Sequence, residues 1–389
     1  MKKILPLGLA VILTLGTSAA PTVSDLKVTP IEPIGVAIDY TVSGVETEDE
    51  GQDYSLEVLM SGTGTVWFAQ TLIGLTNCVN GAHRVYWNMA KDGLAIDPAV
   101  ASIRVTHYYK CPCYCVIDLS AGSNAETHPV TYMDAMPSGG FNTTEYKTTK
   151  LVLKRVDVGA FIMGENQTDG THWVAITRPF YMGIYEVTQK QWKLVMGTNP
   201  SSLKYDAHPV ENVSYDDIRG SSGGAKWPAD NAVDSTSFLG KLRDRTRLDF
   251  DLPTEAQWEY ACRAGTTMSY GWGNSPDSWY MWYRDNTEAA GDNGAEVHFS
   301  NEVGTRLSNN WKFYDMHGNA EEWCLDWFGP LAYGVDPKGS PSGSKRVRRG
   351  GSSWSRPFAC TSFYRSSAES SSTGWSEGFR LSLTVQDSL

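Results

Sequence analysis

The sequence is short of positive charge, of paired histidines and, past its first residues, of long apolar runs. Its 33 Lys and Arg face 44 Asp and Glu, a net charge of −11 with a pI near 5.2. That balance excludes a chain that holds nucleic acid or an anionic membrane through a basic face. The 7 histidines form no H-x-x-x-H or H-E-x-x-H spacing, which excludes a zincin-type metal helix. No stretch after residue 20 is apolar for long enough to span a bilayer, so no transmembrane segment is expected once a leader is removed.

What is present begins with that leader. "MKKILPLGLAVILTLGTSAA" has two lysines, an apolar run from Ile4 to Leu15 and small residues up to Ala20. This is the pattern of an export signal cleaved near Ala20, and it predicts a periplasmic, cell-surface or secreted protein. The ~370 residues that remain exceed one ordinary core, so two domains are expected. With 14 Trp, 37 Gly and 12% aromatic residues, a loop-rich fold held by ring packing is expected. Seven cysteines in an oxidising compartment permit disulfides and leave at least one thiol over.

Residues 21–116 read as a β-sandwich of immunoglobulin-like type. "IGVAIDYTVSG", "YSLEVLMSG", "HRVYWNM" and "VASIRVTHYYK" are short alternating runs, separated by Gly, Asn and Asp at roughly ten-residue spacing. A spacer or docking module is the expected role. In "KCPCYCV" an extended backbone would turn Cys111, Cys113 and Cys115 to one face. Those thiols suit a soft metal that lacks a fourth ligand, a disulfide with Cys78, or simple core packing. Residues 117–150 read as a linker with a small β segment.

From residue 151 to the end, helices punctuated by polar loops take over. Thr188 with Gln191 is a capping box stopped by Gly197, and Ser214 with Asp217 resembles a second start. Phe238, Leu239 and Leu242 share a helical face. In "LPTEAQWEYACRAG" Thr254 and Gln257 form a third box, Gly265 is the expected stop, and Cys262 shares an inner face with Trp258 and Ala261. That thiol is expected to be core rather than nucleophile.

Eight motifs then stand in a recognisable order: "GAFIMG" (159–164), "YEVTQKQW" (185–192), "HPVENVSYDD" (208–217), "LPTEAQWEYACRAGT" (252–266), "YGWGN" (270–274), "YDMHGNAEEWC" (314–324), "RVRRGGS" (346–352) and "GFRL" (378–381). By these motifs the chain from about Leu151 to Leu383 resembles the formylglycine-generating enzyme, or sulfatase-modifying factor, family. The resemblance implies an irregular α+β fold related to C-type lectins, with a groove. The fold class expected for the whole is therefore multidomain, a β-sandwich followed by this domain over 151–389.

"YDMHGNAEEW" also reads without the family. Asp315 and Glu322 are hard oxygen donors and Gly318 permits the turn that brings carbonyls inward, a set that suits calcium. Carried over from the family, the calcium ligands are Asp315, Gly318, Ala320 and Glu322. A second family calcium site near Asn286 has no ligand-by-ligand match. His317 is expected to pack or hydrogen-bond, and the histidine set of iron-dependent relatives has no counterpart.

In the family, the loop after "GGS" carries two cysteines five apart that bind copper(I) and oxidise a substrate cysteine. Here these positions are Ser355 and Cys360, with Ser352 and the supporting Arg348, Arg349 and Arg365 kept. Thiolates suit soft copper(I), whereas a serine hydroxyl is a hard and scarcely ionised donor. A Cys324–Cys360 disulfide is expected to consume the remaining thiol. Three functions follow as expectations. The first is a non-oxidase relative that binds a peptide or glycan in an aromatic groove, with Trp272, Trp311 and Trp354 as wall candidates. The second is a copper- and oxygen-dependent oxidase using Cys360 and another ligand, with Ser352 and Ser355 in support. The third is a structural cell-surface component stabilised by calcium.

Overall fold

The computed structural model describes the strands between residues 22 and 106, and residues 112–165, 172–290 and 296–384. The chain divides into two compact units, one within residues 1–111 and one from Pro112 to Val385. The export signal, Cys78 and Cys111 lie outside the described residues.

In the first unit the strands Thr22–Ile31, Gly35–Ser43, Gly81–Trp87 and Leu72–Ile73 pair side by side as an antiparallel sheet, and Ser55–Met60 pairs with Ala101–Thr106. The alternating runs do form antiparallel strands. The packing of one sheet on the other, which a sandwich requires, lies outside what is described.

The second unit begins earlier than its motifs. Strand Tyr114–Asp118 lies between Val130–Met133 and Lys150–Val156, and the sheet continues through Phe180–Gly183 to Ser382–Thr384. Within residues 117–150, read as a linker with a small β segment, the strand Val130–Met133 pairs into this sheet. Tyr114, Val116 and Phe141 are buried in the same core as Phe180 and Trp258, so these residues are part of the domain. Cys113 packs against that cluster beside Tyr114, whereas Cys115 is buried opposite Leu153 and Tyr132. Cys113 precedes the strand, which begins at Tyr114, so the period of two that would put it on the face of Cys115 does not reach it, and the two thiols expected on one face lie apart.

The capping boxes fold as written. Helix α1 is Thr144–Thr148; α2, Gln189–Met196, is capped by Thr188 and Gln191 and ends on left-handed Gly197. Ser214 and Asp217 cap α3, Tyr215–Arg219. Ser237 caps α4, Phe238–Thr246, which buries Phe238, Leu239 and Leu242. Thr254 and Gln257 cap α5, Glu255–Arg263, which ends on Ala264, one residue before the expected Gly265. Its inner face carries Trp258, Ala261 and Cys262 into the core.

Strand Glu321–Trp327 lies between Arg346–Arg349 and Glu377–Gly378, and Ser366–Ala368 closes that sheet. Beneath it buried charges are matched. Arg349 reaches Glu259 and Glu255, Glu259 also holds Arg263, and Arg365 takes both oxygens of Glu255. No described helix is long and apolar enough to cross a membrane.

Candidate functional site

Strand Arg346–Arg349 delivers the chain into the 350–360 loop through two left-handed glycines, with φ of 92° at Gly350 and 68° at Gly351. A Cβ on Gly351 would stand 2.8 Å from the Cys360 sulfur, and one on Gly350 would press on Trp258 at 3.1 Å. Glycine is therefore required for the loop to fold back on its own cysteine. Within the loop the Ser352 amide donates to the Ser355 hydroxyl at 2.9 Å, and the two hydroxyls lie 3.3 Å apart.

Cys360 ends a short 3₁₀ turn, Pro357–Cys360, and is fully buried beside Tyr270 and Met281. Burial pushes its thiol up to about 12, so at neutral pH it is a thiol rather than a nucleophilic thiolate. His317 positions it. The Gly271 amide donates to Nε2 at 3.1 Å, which leaves the proton on Nδ1 for the Cys360 carbonyl at 2.7 Å. Burial holds the imidazole down to about 4, and it stays neutral. The Cys262 sulfur lies 3.5 Å from Nε2.

The expected Cys324–Cys360 disulfide does not form. All five described cysteines are free thiols. Cys324 lies in the main core with Trp258 and Met316, whereas Cys360 belongs to a separate cluster with Tyr270. The strand carrying Cys324 is committed to the sheet beneath the loop, which keeps the two apart. The donors at the family's copper positions are thus one hydroxyl and one buried, protonated thiol. That set does not fit copper(I).

The calcium loop is tight where expected. Gly318 has φ of 90° and a Cβ there would meet the Trp282 carbonyl at 1.9 Å. Asp315 accepts from the Gly304 amide at 2.6 Å through Oδ2, while its buried Oδ1 has no hydrogen bond. Glu322 is already engaged. Arg380 donates to both its oxygens, at 2.7 and 2.6 Å, and Trp258 Nε1 donates to Oε2 at 2.8 Å. Beside them lies a carboxylate the motif did not single out. Glu186 accepts from Asn319 through Oε1, and its buried Oε2 has no partner. Burial, with Asp315 next, pushes Glu186 well above the ordinary carboxylate range. Three buried carboxylates share the guanidinium of Arg380, with Lys147 and Arg306 acting on Asp315 without bonding it, and two carboxylate oxygens are open. Those two open oxygens are donors a hard cation can take, although no three His, Cys, Asp or Glu among the described residues are set as a metal cage. Asn286 meanwhile folds onto its own loop, bonding Met281 and Tyr283.

The groove is found beside the loop. A cavity of about 210 Å³ is walled by Tyr205, Phe299, Trp354 and Trp375, with His208 and Glu211 contributing polar groups. Trp354 joins it to the loop, since its amide donates to the Ser352 hydroxyl. The other two wall candidates are used elsewhere. Trp272 is stacked between Tyr270 and Tyr280 and touches His317, and Trp311 packs edge-on against Tyr260 in the core. The missed wall residues come from segments far apart in sequence and carry no local signal.

Comparison with known proteins agrees with the motifs. The chain is 32% identical over 199 residues to chaperone protein LppX of Paenibacillus barcinonensis, covering 44% of this chain and 68% of that one. It is 31% identical over 191 residues to the formylglycine-generating enzyme of Streptomyces coelicolor, covering 47% and 53%. It is 31% identical over 195 residues to that of Bos taurus, covering 47% and 44%. The match thus spans about half the length of these two enzymes. Among solved structures, Treponema denticola variable protein 1 aligns at TM-score 0.49 with 25% identity, over 60% of this chain and 95% of that one. Residues 140–385 match the family model of the sulfatase-modifying factor enzyme 1-like domain, and the chain belongs to that family.

Proposed function

We propose that this chain is an exported ligand-binding member of its family, without two-cysteine copper chemistry, and that it takes a peptide or glycan in the groove beside the 350–360 loop. One observation carries the reading. Where the family places its first cysteine stands Ser355, hydrogen-bonded to Ser352, while Cys360 is a buried thiol of the same loop whose Trp354 walls an open aromatic cavity. The scaffold that would present a reactive pair is kept, and the reactive pair is not.

The test is alkylation of native protein with and without copper(I), read by peptide mass spectrometry, together with hydrazide capture of aldehyde from a cysteine peptide under oxygen. The expected result is no copper protection of Cys360 and no aldehyde. Aldehyde formation that Cys360→Ser abolishes would establish the oxidase reading instead. Ser355→Cys is expected to create copper(I) binding where the natural chain has none. Export is tested by the mass of the mature N-terminus, expected to follow Ala20.

Calcium belongs to the same proposal. It would be held by the open oxygen of Asp315 and the carbonyls of Gly318 and Ala320, with Glu322 sharing an oxygen already bonded to Arg380. There it would engage the open oxygen of Asp315 and tie the loop down. Addition of calcium is expected to raise Tm in the natural protein and not in Asp315→Ala, by the mass action of a ligand that binds only the folded state.

A further inference from the structure

The groove reading leaves the ligand's chemistry open, and the cavity narrows it. Its rings are presented rather than packed away: Trp375 is 67% exposed, Tyr205 51% and Phe299 41%. Glu211, by contrast, is only 5% exposed. Its Oε1 accepts from the Ser202 amide, and the Leu203 amide also faces the carboxylate, yet Oε2 is buried without a hydrogen bond. A second carboxylate adds to the charge. Glu377 acts electrostatically on Glu211, and its own Oε2 is likewise buried and unpartnered while Oε1 is held by Arg348.

Among the described residues no cation bonds the open oxygen of Glu211. Lys204, whose charge acts on Glu211, spends its ammonium on the carbonyls of Asn199 and Ser201. Burial holds His208 below its usual range, so at neutral pH its ring is an uncharged face stacked on Tyr205, with centroids 4.6 Å apart. A buried carboxylate oxygen with no donor is costly. Aromatic faces around it concentrate negative potential of the same sign.

We propose that this cavity is an aromatic cage for an alkylammonium group, with Tyr205, Phe299, Trp354 and Trp375 as walls and Glu211 as the counter-charge. The inference rests on the groove being a ligand site and adds the charge of the ligand. A sugar would stack on the same rings and give a hydroxyl to Glu211, but it would bring no positive charge to the carboxylate. A cation answers Glu211 and the rings together, and the chain's net charge of −11 draws cations rather than repelling them.

The test is titration of the full chain, followed by tryptophan indole NMR signals and calorimetry. The probes are choline, its neutral carbon isostere, a trimethyllysine peptide and a methyl glucoside. Choline is expected to bind at the cavity and the isostere roughly tenfold more weakly, the scale of a cation over several rings. Trp375→Ala, which lies on an exposed loop, and Glu211→Gln are each expected to weaken choline while leaving far-UV circular dichroism intact. Tight binding of the peptide but not of choline would place the ammonium on a protein partner and still support the cage. Equal binding of choline and isostere would overturn the ammonium inference and leave the groove reading standing. So would binding of the glucoside alone. No perturbation of the Trp354 and Trp375 signals by any probe would overturn both.

Discussion

Glu322 and Glu211 are both buried glutamates of the same domain, and their surroundings are opposite. Around Glu322 every oxygen is met: Arg380 grips both and Trp258 adds a third donor, with Glu322 and Arg380 side chains wholly buried. Around Glu211 one oxygen is bonded to backbone and the other to nothing, under an open roof of rings. The first arrangement holds the fold, because a buried charge is tolerable only when paired. The second is costly to the free protein, and such a cost is expected where a ligand completes the site.

The largest effect tests the first half of that contrast. Arg380→Ala leaves Glu322 charged, buried and met only by Trp258, and it also removes the donors to the Gly183 and Tyr314 carbonyls. The expected loss is about 3–5 kcal/mol, measured by urea unfolding of the full chain and followed through tryptophan fluorescence. A loss below about 1 kcal/mol would mean that the pair is no anchor and would remove the contrast.

A smaller loss is expected where a neutral group does the positioning. His317→Ala deletes the bond to the Cys360 carbonyl and leaves the Gly271 amide without its acceptor, at about 1–3 kcal/mol. Its distinguishing sign is chemical: Cys360 should become faster to alkylate in the native state while Cys324, deep in the main core, stays protected. Equal protection of both would show that the loop holds Cys360 without His317.

Much of this was legible in the sequence wherever the partners lie three or four residues apart. The boxes at Thr188, Ser214 and Thr254 are local hydrogen-bond circuits, and Gly318 is demanded by one tight turn. The substitution at 355 needs only a count from Gly350. What could not be read is whatever depends on a remote partner. Arg380 is 58 residues from Glu322, and nothing in either motif states that the two meet. The cavity draws on stretches near 189–211, at 299–300, at 354 and at 375, so its walls exist only once the chain is folded. The same distance explains why Trp272 and Trp311 were expected in the groove. Exposure is not a property of an aromatic residue type, and both rings are used in packing.

A pH test separates a charged pair from a buried acid that carries no charge. Asp326 accepts from the Glu255 amide and is pushed up to about 8, by burial first and by Glu255 second. Its folded value lies above its unfolded value of 3.8. The stability it contributes is therefore complete below about pH 3.8 and is lost as pH rises through about 8. Asp326→Asn keeps an oxygen for the amide and has no proton to lose. Its unfolding free energy should sit near that of the natural chain at low pH and exceed it at pH 9, with a flatter slope between. Identical slopes would mean that Asp326 is charged and compensated, like Glu322.

The smallest expected effect bears on the other side of the contrast. Trp375 is the most exposed ring of the cavity, so its removal deletes little buried surface. Trp375→Ala should change stability by no more than about 0.5 kcal/mol, an order of magnitude below Arg380→Ala. A large side chain kept on a loop without stabilising the fold is a ring held out for something else, as the cage requires. Were Trp375→Ala to cost as much as a core truncation, about 3–5 kcal/mol, the ring would be packing material. The distinction between a region that holds the fold and a region that waits for a ligand would then fail at its most exposed point.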